Sequence, residues 1–301
     1  MIIYITGLYV FACWHNRHHP PTITNSISFD AKIKFLHDNR QRLSDARTIA
    51  IGSSICLNNI DSDYLENNLK GQSPFLNIAA WGLQVGEVRQ LFHFVRAFNP
   101  HIRKILYITQ LTDFRQDKRE RIFDSTDVGA YIRDRNGLFF PFRYFNAKTI
   151  KQNIKTSAHK NSTHEYSSLL FGRTGSVLLD IHGRDRNQIR WDEYGADIQI
   201  APQSYQELRS FCNEVREKKI DFYCVITPAR GHFREKESSR RRLTQYKDNV
   251  NRIIHECGGI YIDADAGMRL TEDDFADTLH LNGSGATKVA EHLLPLLKET
   301  L

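Results

Sequence analysis

Three side chains near the two ends of the chain are of the types that can activate a serine. Ser54 follows a short apolar run and Gly52, whereas Asp277 and His280 stand three residues apart, just before a helical pattern. A serine hydroxyl is a poor nucleophile until a base takes its proton, and histidine does this best when a carboxylate orients it. We therefore predict that Ser54 is the nucleophile, His280 the base and Asp277 the group that orients His280.

Each of these motifs also has a simpler interpretation. Gly-Ser-Ser after an apolar strand is often only a tight turn or an anion-binding loop, and a single Asp-x-x-His more often marks the start of a helix. Ser53 is a second candidate for the reactive serine. The presence of both motifs in one chain, in this order, favours catalysis.

Strand patterns alternate with helical patterns along most of the chain. The predicted strands are short apolar runs at 47–51, 75–78, 104–109, 220–227 and 260–263. The predicted helices carry apolar residues at helical spacing, at 29–36 after a Ser28 N-cap and at 61–69, 85–98, 205–218, 239–257 and 285–297. This order predicts an α/β fold: a doubly wound, flavodoxin-like parallel sheet of about five strands with helices on both faces. Ligands bind at the carboxyl ends of such strands, where Ser54 and Gly82 fall.

The alternation is lost between about 113 and 203. This segment is polar and aromatic, with one predicted strand at 176–181. We interpret it as a long insertion over the rim of the sheet, either a lid or a platform for the substrate. The chain then divides into an N-terminal segment, 1–25, and one domain, 26–301, that carries the insertion.

Residues 1–14 are uncharged and mostly apolar, and a border rich in histidine and proline follows at 15–21. The run is shorter than the ~20 residues that cross a bilayer, and it lacks the basic start and cleavage site of a signal peptide. Three interpretations stay open: part of a membrane anchor, a short anchor or a buried strand. The first two predict membrane association through the N-terminus and favour a membrane-associated or extracytoplasmic protein, with a cytoplasmic location still open.

Composition excludes several classes of protein. The net charge of +6 is spread along the chain, and the densest basic run, 230–242, is typical of a solvated helix face, with an anionic-ligand patch as the lesser alternative. No nucleic-acid motif or aromatic stacking platform is present, so no nucleic-acid partner is expected. The five cysteines lack metal-site spacing and are predicted to be buried free thiols. No metal or other cofactor is expected.

Three blocks of the sequence resemble the SGNH (GDSL-type) hydrolase superfamily. Residues 52–55, Gly-Ser-Ser-Ile, resemble its first block, with Ser53 where an aspartate is usual. Residues 77–82, Asn-Ile-Ala-Ala-Trp-Gly, resemble the second block, and Asp277 to His280 resemble the last. Each block follows a predicted strand, and the resemblance covers about 30–112 and 204–300.

The resemblance implies roles for these residues. Ser54, His280 and Asp277 match the catalytic positions, and the backbone amides of Ser54 and Gly82 match oxyanion donors, each worth ~3 kcal/mol when well placed. The family's third block supplies an asparagine donor that is missing here, where the chain reads Ile-Thr-Gln-Leu-Thr-Asp over 108–113. Gln110 and Thr112 are the candidates to replace it.

The resemblance predicts a serine-dependent esterase or O-acyltransferase that acts on an acylated carbohydrate or cell-envelope glycan through an acyl-enzyme. The serine pair and the apolar N-terminus are similar to the membrane-associated branch that modifies cell-surface polysaccharides. The missing asparagine favours the alternative, a non-catalytic binding or assembly protein of the same fold. The oligomeric state is left open by the sequence.

Overall fold

Five parallel strands form the central sheet of the protein. The computed structural model describes residues 2–24, 26–69, 74–116, 124–133, 142, 166, 169–183, 191 and 198–299. The strands are β1 (Thr48–Gly52), β2 (Phe75–Asn77), β3 (Lys104–Thr109), β4 (Asp221–Ile226) and β5 (Ile260–Asp263). Their order, β2-β1-β3-β4-β5, is the flavodoxin-like doubly wound order, so the predicted fold class is confirmed.

Helices connect the strands and cover both faces of the sheet. They are α1 (Ile2–His18), α2 (Ile27–Asp38), α3 (Arg40–Asp45), α4 (Ser54–Asn58), α5 (Ser62–Asn68), α6 (Val85–Phe98), α7 (Ser125–Ile132), α8 (Pro202–Glu217), α9 (His232–Glu235), α10 (Glu237–Glu256), α11 (Ala264–Gly267) and α12 (Gly283–Glu299). The six helices that the sequence predicts agree with the structure to within a few residues, namely α2, α5, α6, α8, α10 and α12, and the other six described helices are not predicted. One cap differs, because Ser26, not Ser28, caps α2 by accepting a hydrogen bond from the Phe29 amide.

Alternate residues of each strand pack on opposite faces of the sheet. On β1, Ile49 and Ile51 belong to the core beneath α2, α6, α8 and α10, whereas Ala50 belongs to the core beneath α4, α5 and α12. Phe211 of α8 is central to the first core, because its ring lies 5.5 Å from that of Phe92 and 5.0 Å from that of Phe222. The two cores hold the sheet rigid, and with it the carboxyl ends of the strands.

The predicted strand at 176–181 does not join the sheet. Val177 and Leu179 are buried, as alternate residues of a strand often are, but their backbone hydrogen-bond partners lie at the ends of helices. The Val177 amide donates to the Leu57 carbonyl at 2.9 Å, and the Leu179 carbonyl accepts from the Gly283 amide at 2.7 Å. The segment is therefore an extended layer over α4 and α12. Most of the predicted insertion lies outside the described residues.

The N-terminal segment is helical, so its interpretation as a buried strand is wrong. The C-terminal half of α1 packs on the protein through Ala12, His15 and His19, whereas most of the first ten residues are exposed. Among the helices of the described chain, none is long and apolar enough to cross a membrane.

Two of the five cysteines are not free, which corrects the sequence prediction. Cys212 of α8 and Cys257, directly after α10, form a disulfide with Cα atoms 6.2 Å apart, inside the usual range. Cys13, Cys56 and Cys224 are free. Spacing could not reveal the pair, because it depends on which faces of two separate helices meet.

Replacing Cys212 and Cys257 with alanine is expected to lower the free energy of unfolding by about 3–4 kcal/mol, because the cross-link restricts the unfolded chain. The two cysteines are 45 residues apart in the sequence. Urea unfolding without reductant measures the change, with Cys13→Ala as the control. Thiol titration of the denatured, unreduced protein should count three free thiols, and a count of five would contradict the pairing.

Candidate active site

The structure brings Ser54, His280 and Asp277 together as a connected triad. His280 Nε2 lies 2.8 Å from Ser54 Oγ, and His280 Nδ1 lies 2.9 Å from Asp277 Oδ2 and 3.0 Å from Oδ1. Asp277 and His280 are buried, whereas Ser54 is half-buried at the wall of a cleft. The predicted nucleophile, base and orienting carboxylate are thus within hydrogen-bond reach of one another, in the order that activation of a serine requires.

The Asp-x-x-His motif builds its own turn. Asp277 Oδ1 accepts the backbone amides of Leu279 and His280, each at 2.8 Å, an arrangement that short acidic side chains favour. The His280 carbonyl in turn accepts the amide of Ala276 at 2.8 Å, and Phe275 forms an antiparallel bridge with Leu281. One carboxylate therefore closes the turn and orients the imidazole.

The Gly-Ser-Ser motif is fixed by close packing at the end of β1. A Cβ at Gly52 would overlap the Ile108 carbonyl oxygen and lie 2.7 Å from Cys56 Cβ, so only glycine fits. Ser53 is the N-cap of α4, and its Oγ accepts the Ile55 amide at 3.1 Å. The Ser53 hydroxyl is thus engaged in the turn, and Ser54 is the serine that reaches His280.

Asn59, immediately after α4, ties the serine to the histidine turn. Its Nδ2 donates to the Leu279 carbonyl at 3.0 Å, and its Oδ1 accepts the Leu281 amide at 2.9 Å. The side chain is fully buried. Sequence reasoning missed this residue, because an asparagine after a helix is ordinarily explained as a C-cap.

Gly82 lies where the second block predicts it, at the same cleft as Ser54. It adopts a positive φ of 70°, which glycine accommodates without strain. The turn before it is held by Ser28, whose Oγ accepts the Trp81 amide at 3.0 Å, and by Asn77, whose Nδ2 donates to the Cys56 carbonyl at 2.9 Å. The second motif is therefore anchored to α4, the helix that begins with Ser54.

Gln110 does not reach the cleft. Its Nε2 donates to the Pro228 carbonyl at 3.1 Å, and its carboxamide is not part of the cleft lining. Thr112 does line the cleft, in the short 3-10 turn that follows β3. Of the two candidates for the missing asparagine, the structure places Thr112 at the site.

Asp113 adds a second buried carboxylate to the cleft wall, which the sequence analysis did not single out. Its Oδ2 accepts hydrogen bonds from Thr109 Oγ1 at 2.9 Å and from the Gln110 backbone amide at 3.2 Å. The carboxylate also forms a hydrogen bond with the Ser53 side chain. Burial raises the pKa of Asp113 to about 6, although these hydrogen bonds oppose the rise.

Two aromatic residues from the predicted insertion support the histidine turn. Tyr166 donates its hydroxyl to the Ala276 carbonyl at 2.9 Å, and its ring lies edge-on to His280. The Trp191 carbonyl accepts a hydrogen bond from Thr278 Oγ1 at 2.7 Å, and the Arg230 guanidinium lies 3.5 Å from the centre of the Trp191 ring. Part of the insertion is therefore in contact with the catalytic turn.

The cleft beside Ser54 is open and has a volume of about 500 Å³. Aromatic, apolar and polar side chains line it, among them Trp81, Leu83, Gln84, Arg115 and Tyr166. In the described part of the chain, no three His, Cys, Asp or Glu side chains are grouped as metal ligands would be. The connected Ser54, His280 and Asp277 side chains beside this cleft are of the types that can support nucleophilic attack by an activated serine.

Comparison with known proteins finds similarity in structure only. No model of a protein family and no curated protein matches the sequence. Similar solved structures include a lipase/acylhydrolase from Enterococcus faecalis, with a TM-score of 0.46 and 10% identity over 85% of this chain and 97% of that chain. An inhibitor-bound aryl esterase from M. smegmatis has a TM-score of 0.41 and 9% identity, over 85% and 100%. A carbohydrate acetylesterase family member from Sinorhizobium meliloti has a TM-score of 0.40 and 11% identity, over 85% and 99%. At these scores the likeness assigns no activity to this chain.

The raised pKa of Asp113 predicts a pH-dependent stability. Between its ordinary value of 3.8 and about 6, the folded chain holds a proton that the unfolded chain releases. The free energy of unfolding should therefore fall by about 2–3 kcal/mol as the pH rises through this window. Asp113→Asn should remove this component, as measured by urea unfolding at a series of pH values. The exposed Asp248→Asn is the matched control, and an unchanged pH profile in Asp113→Asn would contradict the assignment.

Proposed function

We propose that the protein is a serine-dependent esterase or O-acyltransferase that acts on an acylated carbohydrate or cell-envelope glycan. The observation that carries this proposal is the 2.8 Å contact between His280 Nε2 and Ser54 Oγ, with Asp277 on the other ring nitrogen, at the wall of an open cleft. A triad with this geometry can activate its serine for acyl transfer.

The geometry supports a two-step reaction. Ser54 Oγ attacks the ester carbonyl carbon while its proton passes to His280 Nε2, and the resulting imidazolium is stabilised by Asp277. The carbon–oxygen bond to the leaving alcohol then breaks, and His280 returns the proton to that oxygen. In the second step His280 takes a proton from water or from a sugar hydroxyl, whose oxygen attacks the acyl carbon. The bond between that carbon and Ser54 Oγ then breaks, and His280 returns the proton to Ser54 Oγ. Water yields hydrolysis, and a sugar hydroxyl yields transfer.

The negative charge that develops on the carbonyl oxygen needs donors from the same cleft. The backbone amides of Ser54 and Gly82 are our candidates, and the Thr112 hydroxyl takes the place of the missing asparagine. Each well-placed donor contributes ~3 kcal/mol to the transition state. These donors are in position before the substrate binds, because hydrogen bonds of the neighbouring residues fix the backbone at Gly82 and Ser54.

The lining of the cleft supports a carbohydrate as the alcohol part of the ester. Trp81 and Tyr166 offer flat apolar surfaces, and Gln84 and Arg115 offer polar groups beside them. Sugars present the same combination of apolar ring faces and hydroxyl groups. The alternative, a binding or assembly protein without catalysis, is less favoured because all three catalytic side chains are connected.

We further propose that α1 enters one leaflet of a lipid bilayer. Residues 3–8 are exposed on all sides of the helix, with Ile3 89% and Tyr4 76% exposed. A helix that is apolar all round favours an apolar solvent over a single partner surface. Trp14 and Arg17 border this run, as residues at a membrane interface do. With 17 residues, the helix is about 26 Å long, less than the ~30 Å core of a bilayer.

The disulfide is consistent with an extracytoplasmic location, which we also propose. Disulfides persist in oxidising compartments and are rare where thiols are kept reduced. Cys212 and Cys257 belong to one core of the folded domain, so an oxidising compartment would keep this cross-link within the domain.

A fluorophosphonate probe tests the nucleophile directly. The full chain should form an adduct on Ser54 that peptide fragmentation can locate, and Ser54→Ala should abolish it. Ester turnover should fall by roughly 10⁴- to 10⁶-fold in Ser54→Ala. Ser53→Ala is the matched control and should retain the adduct. An adduct that survives in Ser54→Ala would identify another serine, and no adduct on the folded protein would favour the binding protein.

Vesicle sedimentation tests the role of α1. The full chain should sediment with phosphatidylcholine–phosphatidylglycerol vesicles, and Ile5→Glu with Val10→Glu should lose most of this binding, because charged side chains enter hydrocarbon at high cost. Thr6→Gln is the control at a polar exposed position. Equal sedimentation of the double glutamate variant and of Thr6→Gln would contradict the proposal. It would also be contradicted if the double variant lost a dimer of the wild-type protein and kept its vesicle binding.

A further inference from the structure

A second cavity adjoins the cleft that holds Ser54. It has a volume of about 210 Å³ and lies between the end of α1, one face of α2 and residues 169–171. Ile27, the first residue of α2, lines both this cavity and the Ser54 cleft. The two spaces are therefore neighbours that share one side chain as their boundary.

One stripe of α2 forms the length of the cavity. The lining residues Ile27, Ala31, Lys34, Phe35 and Asp38 recur at the spacing of a single helical face. From the first to the last of them the helix rises about 16 Å. The cavity is thus elongated and begins at the Ser54 cleft.

The opposite wall is apolar and held in place. Leu169 and Phe171 face α2, and the Phe171 ring lies 5.1 Å from that of Phe35. Lys32 Nζ is buried, lies 4.5 Å from the centre of the Phe171 ring and donates hydrogen bonds to the Asn77 and Gly175 carbonyls. These contacts fix the aromatic wall to the end of β2.

The polar side chains of the cavity already have partners in the protein. Lys34 pairs with Asp38 at 2.8 Å, Asn39 donates to the Phe35 carbonyl at 2.8 Å, and His18 Nδ1 lies 2.8 Å from the Trp14 carbonyl. The rest of the lining is hydrocarbon or aromatic: Pro20, Ile27, Ala31, Phe35, Leu169 and Phe171. An elongated apolar occupant without hydrogen-bonding groups fits this surface.

We propose that this cavity binds the hydrocarbon chain of the substrate's acyl group, with the ester carbonyl at Ser54. The proposal rests on the proposed acyl-transfer function and names its acyl donor as a medium- or long-chain ester. In this arrangement the chain passes over Ile27, the side chain that lines both spaces, from the reacting carbon into the cavity. Burial of each methylene then raises kcat/KM by about fourfold until the cavity is full.

The test is a series of acetyl, butyryl, octanoyl and dodecanoyl esters. The wild-type protein should prefer the longer chains, and Ala31→Phe, which fills the cavity, should return their kcat/KM to near the acetyl value. Gln41→Phe adds the same ring to the exposed surface of α3 and should keep the wild-type preference. Turnover of the acetyl ester with a flat chain-length profile would overturn the cavity proposal and leave the serine chemistry intact.

Calorimetry with dodecanoate tests the cavity without turnover. The wild-type protein and Gln41→Phe should bind the fatty acid, and Ala31→Phe should bind it at least tenfold more weakly. If Ala31→Phe fails to fold, Leu169→Phe fills the same cavity from the opposite wall. No binding by the wild-type protein, or equal binding by a folded cavity-filling variant, would overturn the proposal. Dodecanoate binding in a protein that turns over no ester and takes no fluorophosphonate would reject only the catalytic function.

Discussion

The two hydrogen bonds of Asn59 hold the candidate site together. Ser54 and His280 are 226 residues apart, and their contact depends on how the first βα unit meets the last turn of the chain. Asn59 spans that junction, because its amide group satisfies a carbonyl and an amide of the histidine turn while fully buried. A buried backbone group left without a partner costs ~1–3 kcal/mol, so separation of the two elements is strongly opposed.

The sheet supplies the rest of the alignment. Since β1 lies between β2 and β3, the residues after these three strands meet at one edge. Ser54 follows β1, Gly82 follows β2, and Thr112 and Asp113 follow β3, which places them around one cleft. The histidine turn then approaches this edge just before α12. Rigid elements thus hold most of the candidate site, and the described residues of the insertion, such as Tyr166 and Trp191, support the histidine turn.

Much of this arrangement could be predicted from the sequence, because it depends on local patterns. Apolar runs and helical spacing predict the strands and helices, and the three candidate catalytic side chains belong to short motifs at their ends. The extended segment at 176–181 has the alternation of a strand, but a strand also needs a partner edge, which alternation cannot reveal. Three further features depend on contacts between distant parts of the chain: the disulfide partner of Cys212, the hydrogen bond of the Gln110 side chain to Pro228, and the two hydrogen bonds of Asn59 to the histidine turn. Local spacing in the sequence does not reveal such contacts.

The Trp191 carbonyl has a consequence for how the site could be controlled. It accepts hydrogen bonds from both Thr278, inside the histidine turn, and Arg230, after β4. A ligand that favours one position of Trp191 therefore also favours one arrangement of the turn that carries His280. Thermodynamic linkage makes this relation reciprocal, so a substrate that binds more tightly to that arrangement must strengthen the binding of the ligand by the same factor. Trp191 is in this sense an input to the site as well as a support of the histidine turn.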